Sequence, residues 1–237
     1  MNIANIARAT LVAALLMVAA GPLHRFGVIS WQVSLGLFVG AALLAGIGAC
    51  WCLVQLLRRR GGTVTVIAAA AGLAAAAIPL AVVVNSADKP PINDISTDTA
   101  NPPTFQAIDA AIRGNDVSPI AYNPAFAPQQ ERAYPDVRPL DLPLEPGQAF
   151  DVALAACNKD WQIILADRNA GRIEAVEQSM WWGYKDDIVI RLTKTPLGSR
   201  VDMRSKSRVG QSDLGANARR IATYLDRVAS EMRKSRA

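Results

Sequence analysis

The residues best equipped for chemistry lie between Trp181 and Arg220. Arg191, Arg204, Lys206 and Arg208, with Asp202 among them, recur at spacings that would share one face of a strand pair, and Asp213 and Asn217 follow shortly after. Guanidinium forks and an ammonium in such a row suit an anionic headgroup, a phosphate or an acidic peptide. Charge asymmetry favours this: residues 89–190 carry 8 basic and 15 acidic groups, residues 191–237 carry 12 and 4. The plainer reading is that an antiparallel sheet needs one solvated face and this is it, with Asp187 and Asp202 neutralising part of the stripe. Gly210 to Gly215, ahead of a helix, reads either as an anion nest or as ordinary capping by Ser212 and Asp213. Asp213 already supplies the negative charge, which favours capping. Asn217, one turn in, is placed to complete a polar site with Arg208 or Arg220. Trp181, Trp182 and Tyr184 flank Gly183 between two strands. They are hairpin packing, a ligand wall, or an anchor at a membrane interface.

Other chemistries find little support. His24 is the one histidine, and of the three cysteines Cys50 and Cys52 sit in an apolar run and Cys157 stands alone. No Cys/His zinc site and no disulfide within the soluble part is therefore expected. Asp186 and Asp187 are neighbours on a strand and point to opposite faces, so they form no carboxylate dyad, and Lys206 points away from Ser205 and Ser207. No phosphate loop or nucleotide fingerprint occurs. No catalytic residue, metal or cofactor is assigned.

These residues must be carried by something, and the first third of the 237-residue chain is apolar. Ile6–Leu23, Trp31–Leu57 and Thr63–Val84 are each long enough to cross roughly 30 Å of hydrocarbon. The first resembles a signal peptide but has a weak basic start, so it is read as an uncleaved helix. Arg58, Arg59 and Arg60 lie in the short connection between the second and third runs. The positive-inside bias places that connection in the cytoplasm and all that follows Val84 outside, with Arg8 in agreement and Arg25 dissenting. The net charge of +5 is mostly carried here, +4 in the first 88 residues, so a pI near 9.4 does not point to nucleic acid. Small residues four apart (Gly36 and Gly40, Ala42 and Gly46, Gly72 and Ala76) predict close packing among the three helices or a docking face for another membrane protein.

From Pro90 to Pro146 the chain holds 11 of its 14 prolines. Residues 88–136 are read as an extended connector strapped over the following domain by Phe105, Tyr122, Phe126 and Tyr134, with one short helix near residues 104–113. Residues 137–237 read as an α+β domain of order β-α-β-β-β-β-α, an antiparallel sheet with two helices on one face. Pro146 opens a helix, Asn169-Ala170-Gly171 turns the chain, and the last helix begins at Ser212. Thr195 to Gly198 forms a tight turn that pairs Lys194 with Ser199. Leu192 then meets Val201, Ile190 meets Met203, Arg191 meets Asp202 and Asp187 meets Lys206.

Four stretches, Asp88–Asp98, Gly171–Ala175, Trp181–Arg191 and Ser199–Ile221, resemble the DUF1499 family of uncharacterised, often membrane-anchored bacterial and plastid domains. The resemblance covers roughly Asp88 to Val228 and leaves out the three apolar runs. It implies an envelope location and supplies no reaction. The resulting expectation is a multi-pass protein of the bacterial inner membrane with a periplasmic binding or interaction domain. Its partners would be the bilayer and an anionic lipid headgroup or an envelope protein. An accessory subunit of a membrane complex and an envelope enzyme using Asp and Arg without metal are the alternatives.

Overall fold

The computed structural model describes residues 2–115 and 117–235. The chain divides into two compact units: Met1–Asp88 together with Met180–Gly183, and Lys89–Ser179 together with Tyr184–Ala237.

In the first unit, α1 (Ile3–Arg25), α2 (Trp31–Leu57) and α3 (Thr63–Ser86) are each long and apolar enough to cross a membrane. Their outer faces carry large aliphatics such as Leu15, Leu43, Ile47 and Val83, while the faces turned together are small, among them Ala7, Ala20, Ala45, Ala49 and Ala68. Small residues let backbones approach closely. Gly72 shows this best, because a Cβ there would lie 2.8 Å from the Ala49 Cβ and 2.9 Å from the Thr10 Cγ2. At Gly46 it would lie 3.0 Å from the Ala76 Cβ. Gly36 and Gly40 do not pack this way; a Cβ at either meets nothing within 4 Å. The buried face of α2 follows Ser34, Phe38, Ala41, Ala45 and Ala49 instead, which leaves those two glycines off it. Hydroxyls inside the helices are satisfied by backbone: Thr10 donates to the Ile6 carbonyl at 2.9 Å and Ser34 to that of Ala20 at 2.7 Å.

The second unit is built on a six-stranded antiparallel sheet of β1 (Asp94–Ser96), β2 (Leu140–Leu142), β3 (Gln162–Asp167), β4 (Arg172–Gln178), β5 (Lys185–Thr195) and β6 (Gly198–Ser207). The order is β1-β6-β5-β4-β3, with β2 also on β6. The β5–β6 register is the one read from the sequence, from Thr195↔Gly198 through Arg191↔Asp202 to Asp187↔Lys206. Gly198, at φ +137, is required at this turn because a Cβ would strike the backbone of Leu142 to Leu144. The sixth strand, β1, was not foreseen: three residues beside prolines have no alternation to read. It pairs with Arg204–Lys206 while β2 pairs with Ser199–Val201, so two short strands end to end cover the outer edge of β6.

One sheet face is covered by α6 (Pro146–Ala155) and α7 (Ala216–Lys234). Phe150, Trp161, Ile173, Ile188, Ile190, Met203, Ile221 and Tyr224 form the core between them. Ala218, Ile221, Leu225, Val228 and Met232 recur at helical spacing on α7, the stripe that buries it. The helix starts later than Ser212, because Leu214 (φ 54) and Gly215 (φ 78) both turn left-handed and interrupt any helix across them. Cys157 sits half-buried beside this core, its thiol pushed up to about 12 by burial.

The other face is covered by the connector, which holds two further short helices, α4 (Ala110–Arg113) and α5 (Ala127–Ala133). The helix expected over residues 104–113 is confined to α4. The N–H groups of Gln106, Ala107 and Ile108 are donated instead to the Glu174 carboxylate on β4, at 2.7–2.9 Å. A carboxylate collecting three backbone donors replaces the first helical turn.

Candidate functional site

The row of charges on β5 and β6 is inside the protein. Asp187 and Asp202 are at most 1% exposed and Arg204, Lys206 and Arg208 at most 4%, so the expected solvated sheet face does not exist. The connector closes over it and supplies the counter-charges. Arg204 makes a two-pronged pair with Asp94, both bonds 2.8 Å, and Lys206 reaches the same carboxylate at 3.0 Å. Phe105 and Tyr122 lie over the Arg204 guanidinium at 5.1 and 5.4 Å, within cation–π range. Asp187 does not pair with its register neighbour Lys206; it accepts from Arg208 at 2.8 Å and from Arg113 at 2.7 Å. Arg191 binds Asp202 at 2.9 Å and Asp98 at 3.3 Å, and Arg172 binds Glu174 at 3.3 Å. Six cations thus meet five carboxylates in one layer. Burial pulls the Lys206 amine down, with Asp94 opposing. Burial together with the Asp94 charge pushes the Tyr122 phenol up to about 12. Of the residues singled out by sequence, Arg191, Asp202, Arg204 and Arg208 all belong to this clamp.

Asp213 and Asn217 lie on the other side of the sheet. The Asp213 carboxylate caps α7 from ahead, accepting from the N–H groups of Gly215 at 2.7 Å and Asn217 at 2.9 Å. Burial raises its pKa, with those two donors opposing. Asn217 is fully buried. It accepts from Ser205 Oγ at 2.7 Å and donates to Ser207 Oγ and the Asn93 carbonyl, both at 3.1 Å. Its arginine partner is Arg220 and not Arg208. The Arg220 guanidinium donates to Asn217, to Ser205 Oγ at 2.8 Å, to Glu177 and to Asp186. Asp186 and Asp187 therefore serve opposite faces, as alternation along a strand requires.

Beside Arg220 a cleft of about 410 Å³ opens between α7 and β4. Trp161 and Glu177 line one wall, and Arg219, Arg220, Thr223 and Arg227 line the other. Trp161 Nε1 donates to the Glu177 carboxylate at 3.1 Å, which fixes both. Arg219 gives one N–H to the Leu214 carbonyl at 3.2 Å. Neither Arg219 nor Arg227 has a carboxylate partner among the described residues, so two guanidinium charges are left over. Sequence reasoning missed Arg219, Thr223 and Arg227. Their signal was present as an Arg-x3-Thr-x3-Arg spacing on the polar side of the last helix, where exposed arginines ordinarily only solvate a surface.

Trp181 and Trp182 belong to the unit of the three helices, and Tyr184 to the sheet unit. Trp181 Nε1 donates to the Val18 carbonyl at 3.2 Å, the His24 ring meets the Trp182 carbonyl at 2.6 Å, and the Trp182 ring stands edge-on to Phe38 at 5.1 Å. The trio is thus divided. Tyr184 closes its hairpin by pairing its backbone with Ser179, and burial raises its phenol pKa.

Fold and site together define an α+β domain joined to three helices of membrane-spanning length. A family model described as a protein of unknown function, DUF1499, matches residues 94–228, and the chain belongs to that family. No curated protein and no solved structure matches the chain.

Proposed function

We propose that the protein is a membrane-anchored binding module of the bacterial envelope, with its α+β domain on the periplasmic side of the inner membrane and an anionic ligand as its cargo. The observation that carries the reading is the cleft along α7, where Arg219 and Arg227 bring positive charge that no carboxylate of the described chain answers. The charged sheet face cannot take this role while the connector covers it. Orientation is supported by Arg58, Arg59 and Arg60, all exposed in the short connection between α2 and α3, where basic residues favour the cytoplasm. A second reading, an accessory subunit of a membrane complex, is favoured by Gly36 and Gly40, which leave room on α2 for another helix.

Native mass spectrometry of the full-length protein, gently extracted from its own membrane, tests the reading. A lipid or small anion at fixed stoichiometry, lost in Arg219→Ala/Arg227→Ala, is the expected result. A co-purifying protein with an empty cleft would favour the subunit reading. Orientation is tested by Leu197→Cys, at a turn position 88% exposed. A membrane-impermeant maleimide should label it in spheroplasts, and labelling only after lysis would reverse the topology.

A further inference from the structure

We infer that the tip between β4 and β5, Met180–Gly183, is inserted into the bilayer, with Met180 and Trp181 touching lipid where headgroups meet hydrocarbon; this rests on the membrane anchoring proposed above and is independent of the ligand. A hairpin tip in water ordinarily carries polar turn residues. This one reads Met-Trp-Trp-Gly, and the chain has no charged residue from Gln178 to Tyr184. Met180–Gly183 form one compact unit with the three helices. Their depth follows from what they touch. Trp181 Nε1 donates to the Val18 carbonyl, and the indole lies against Gly21, where a Cβ would strike it. Val18 lies about 10 Å along the axis before Arg25, the last residue of α1. The whole of α1 measures about 35 Å, against roughly 30 Å of hydrocarbon. Trp181 therefore sits below the level of the helix end. The backbone of the tip suits that depth. A peptide carbonyl within lipid has no water to bond, so it must find a partner in the protein. Arg25 Nη1 donates to the Met180 carbonyl and His24 Nδ1 to that of Trp182, both at 2.6 Å.

Lipid is the occupant because the patch continues the apolar outer surface of the helices. Val12, Leu15 and Val18 are exposed along α1, and Trp181, bonded to Val18, extends that row. Arg25 brings Met180, 87% exposed, to the turn between α1 and α2, where Phe26 (77%) and Val28 (66%) are exposed as well. Single exposed apolar residues are ordinary, but a run that adjoins a membrane-spanning surface marks contact with the same medium. An indole with an arginine beside it is the composition of the interfacial zone, where amphipathic rings settle and long cationic side chains reach outward. Trp182 has a different part: its ring packs inward on Phe38 and fixes the tip to α2.

Photo-crosslinking in the membrane tests this. The photoreactive residue benzoylphenylalanine is placed, one position at a time, at Met180, Leu43 or Leu197 of the full-length protein. Membrane vesicles of the expressing cells are irradiated, and adducts are read by mass spectrometry of the intact protein. Leu43 is exposed midway along α2 and reports whether the helices are in lipid at all; Leu197, at the other end of β5, is as exposed as Met180. A phospholipid adduct is expected at Met180, in yield similar to that at Leu43 and about tenfold above that at Leu197. A protein adduct at Met180 in place of lipid would overturn the inference and give the patch to a partner protein. Lipid adducts at Leu43, with no more at Met180 than at Leu197, would overturn the insertion and leave the anchoring standing. No lipid adduct at Met180 or at Leu43 would overturn both.

Discussion

The two faces of the sheet are buried by opposite means. Under α6 and α7 the contacts are aliphatic and aromatic, with Ile188, Ile190 and Met203 fully buried. Under the connector, equally buried positions of the same strands carry Asp187, Asp202, Arg204 and Lys206. An apolar face tolerates many partners, because hydrophobic burial is non-directional. An ionic face tolerates few, since each charge taken from water must meet a partner in good geometry. This difference explains why a connector with eight prolines keeps one path over the sheet. Asp94, Arg113 and the N–H groups of residues 106–108 are each held to a fixed charge on a strand.

The largest break in this comparison comes from Asp94→Asn. It leaves Arg204 and Lys206 buried without their carboxylate, and removing one partner of a buried pair costs about 3–5 kcal/mol. Urea unfolding of the full-length protein, followed by near-ultraviolet circular dichroism, should show a loss of that size. A loss below about 1 kcal/mol would mean that water already reaches the layer. Phe105→Leu keeps an apolar cover but removes the ring over Arg204, and about 0.5–2 kcal/mol should be lost by the same measurement. Asp141→Asn provides the contrast. Its pair with Arg200 has similar bond lengths, 2.8 and 3.0 Å, but both side chains are about half exposed or more. An exposed pair is screened by solvent and contributes little, so the contrast between the two aspartates measures what burial adds.

Much of this fold was legible in the sequence. The β5–β6 register could be read because apolar and charged residues alternate across a turn whose proline and glycine fix its length. The α7 stripe could be read from its spacing. Which face of the hairpin would be wet could not, because alternation separates polar from apolar side chains without saying what covers each. Long-range pairings such as that of Asp94 with Arg204, 110 residues apart, decide that, and no local pattern encodes them. The start of α7 was misplaced for a similar reason. Ser212 and Asp213 have the composition of a cap, but the left-handed turn at Leu214 and Gly215 shifts the first helical residue to Ala216.

The smallest expected effect separates the role of Asp213 as a cap from its role as a charge. Its carboxyl is buried near Asp186, and burial raises its pKa above the ordinary 3.8. The folded state therefore holds this proton more tightly than the unfolded state does. Stability from this group is fully present below about pH 3.8 and falls as pH rises through the raised folded value. Asp213→Asn keeps an oxygen that can accept from Gly215 or Asn217 but has no proton to lose. Thermal melts at pH 4 and pH 7 should show the variant gaining on the wild type at the higher pH. A gap that moves the opposite way would mean that the two backbone donors, and not burial, govern this carboxylate. Asp213 would then belong with Glu174, a carboxylate whose place is set by the backbone N–H groups it collects.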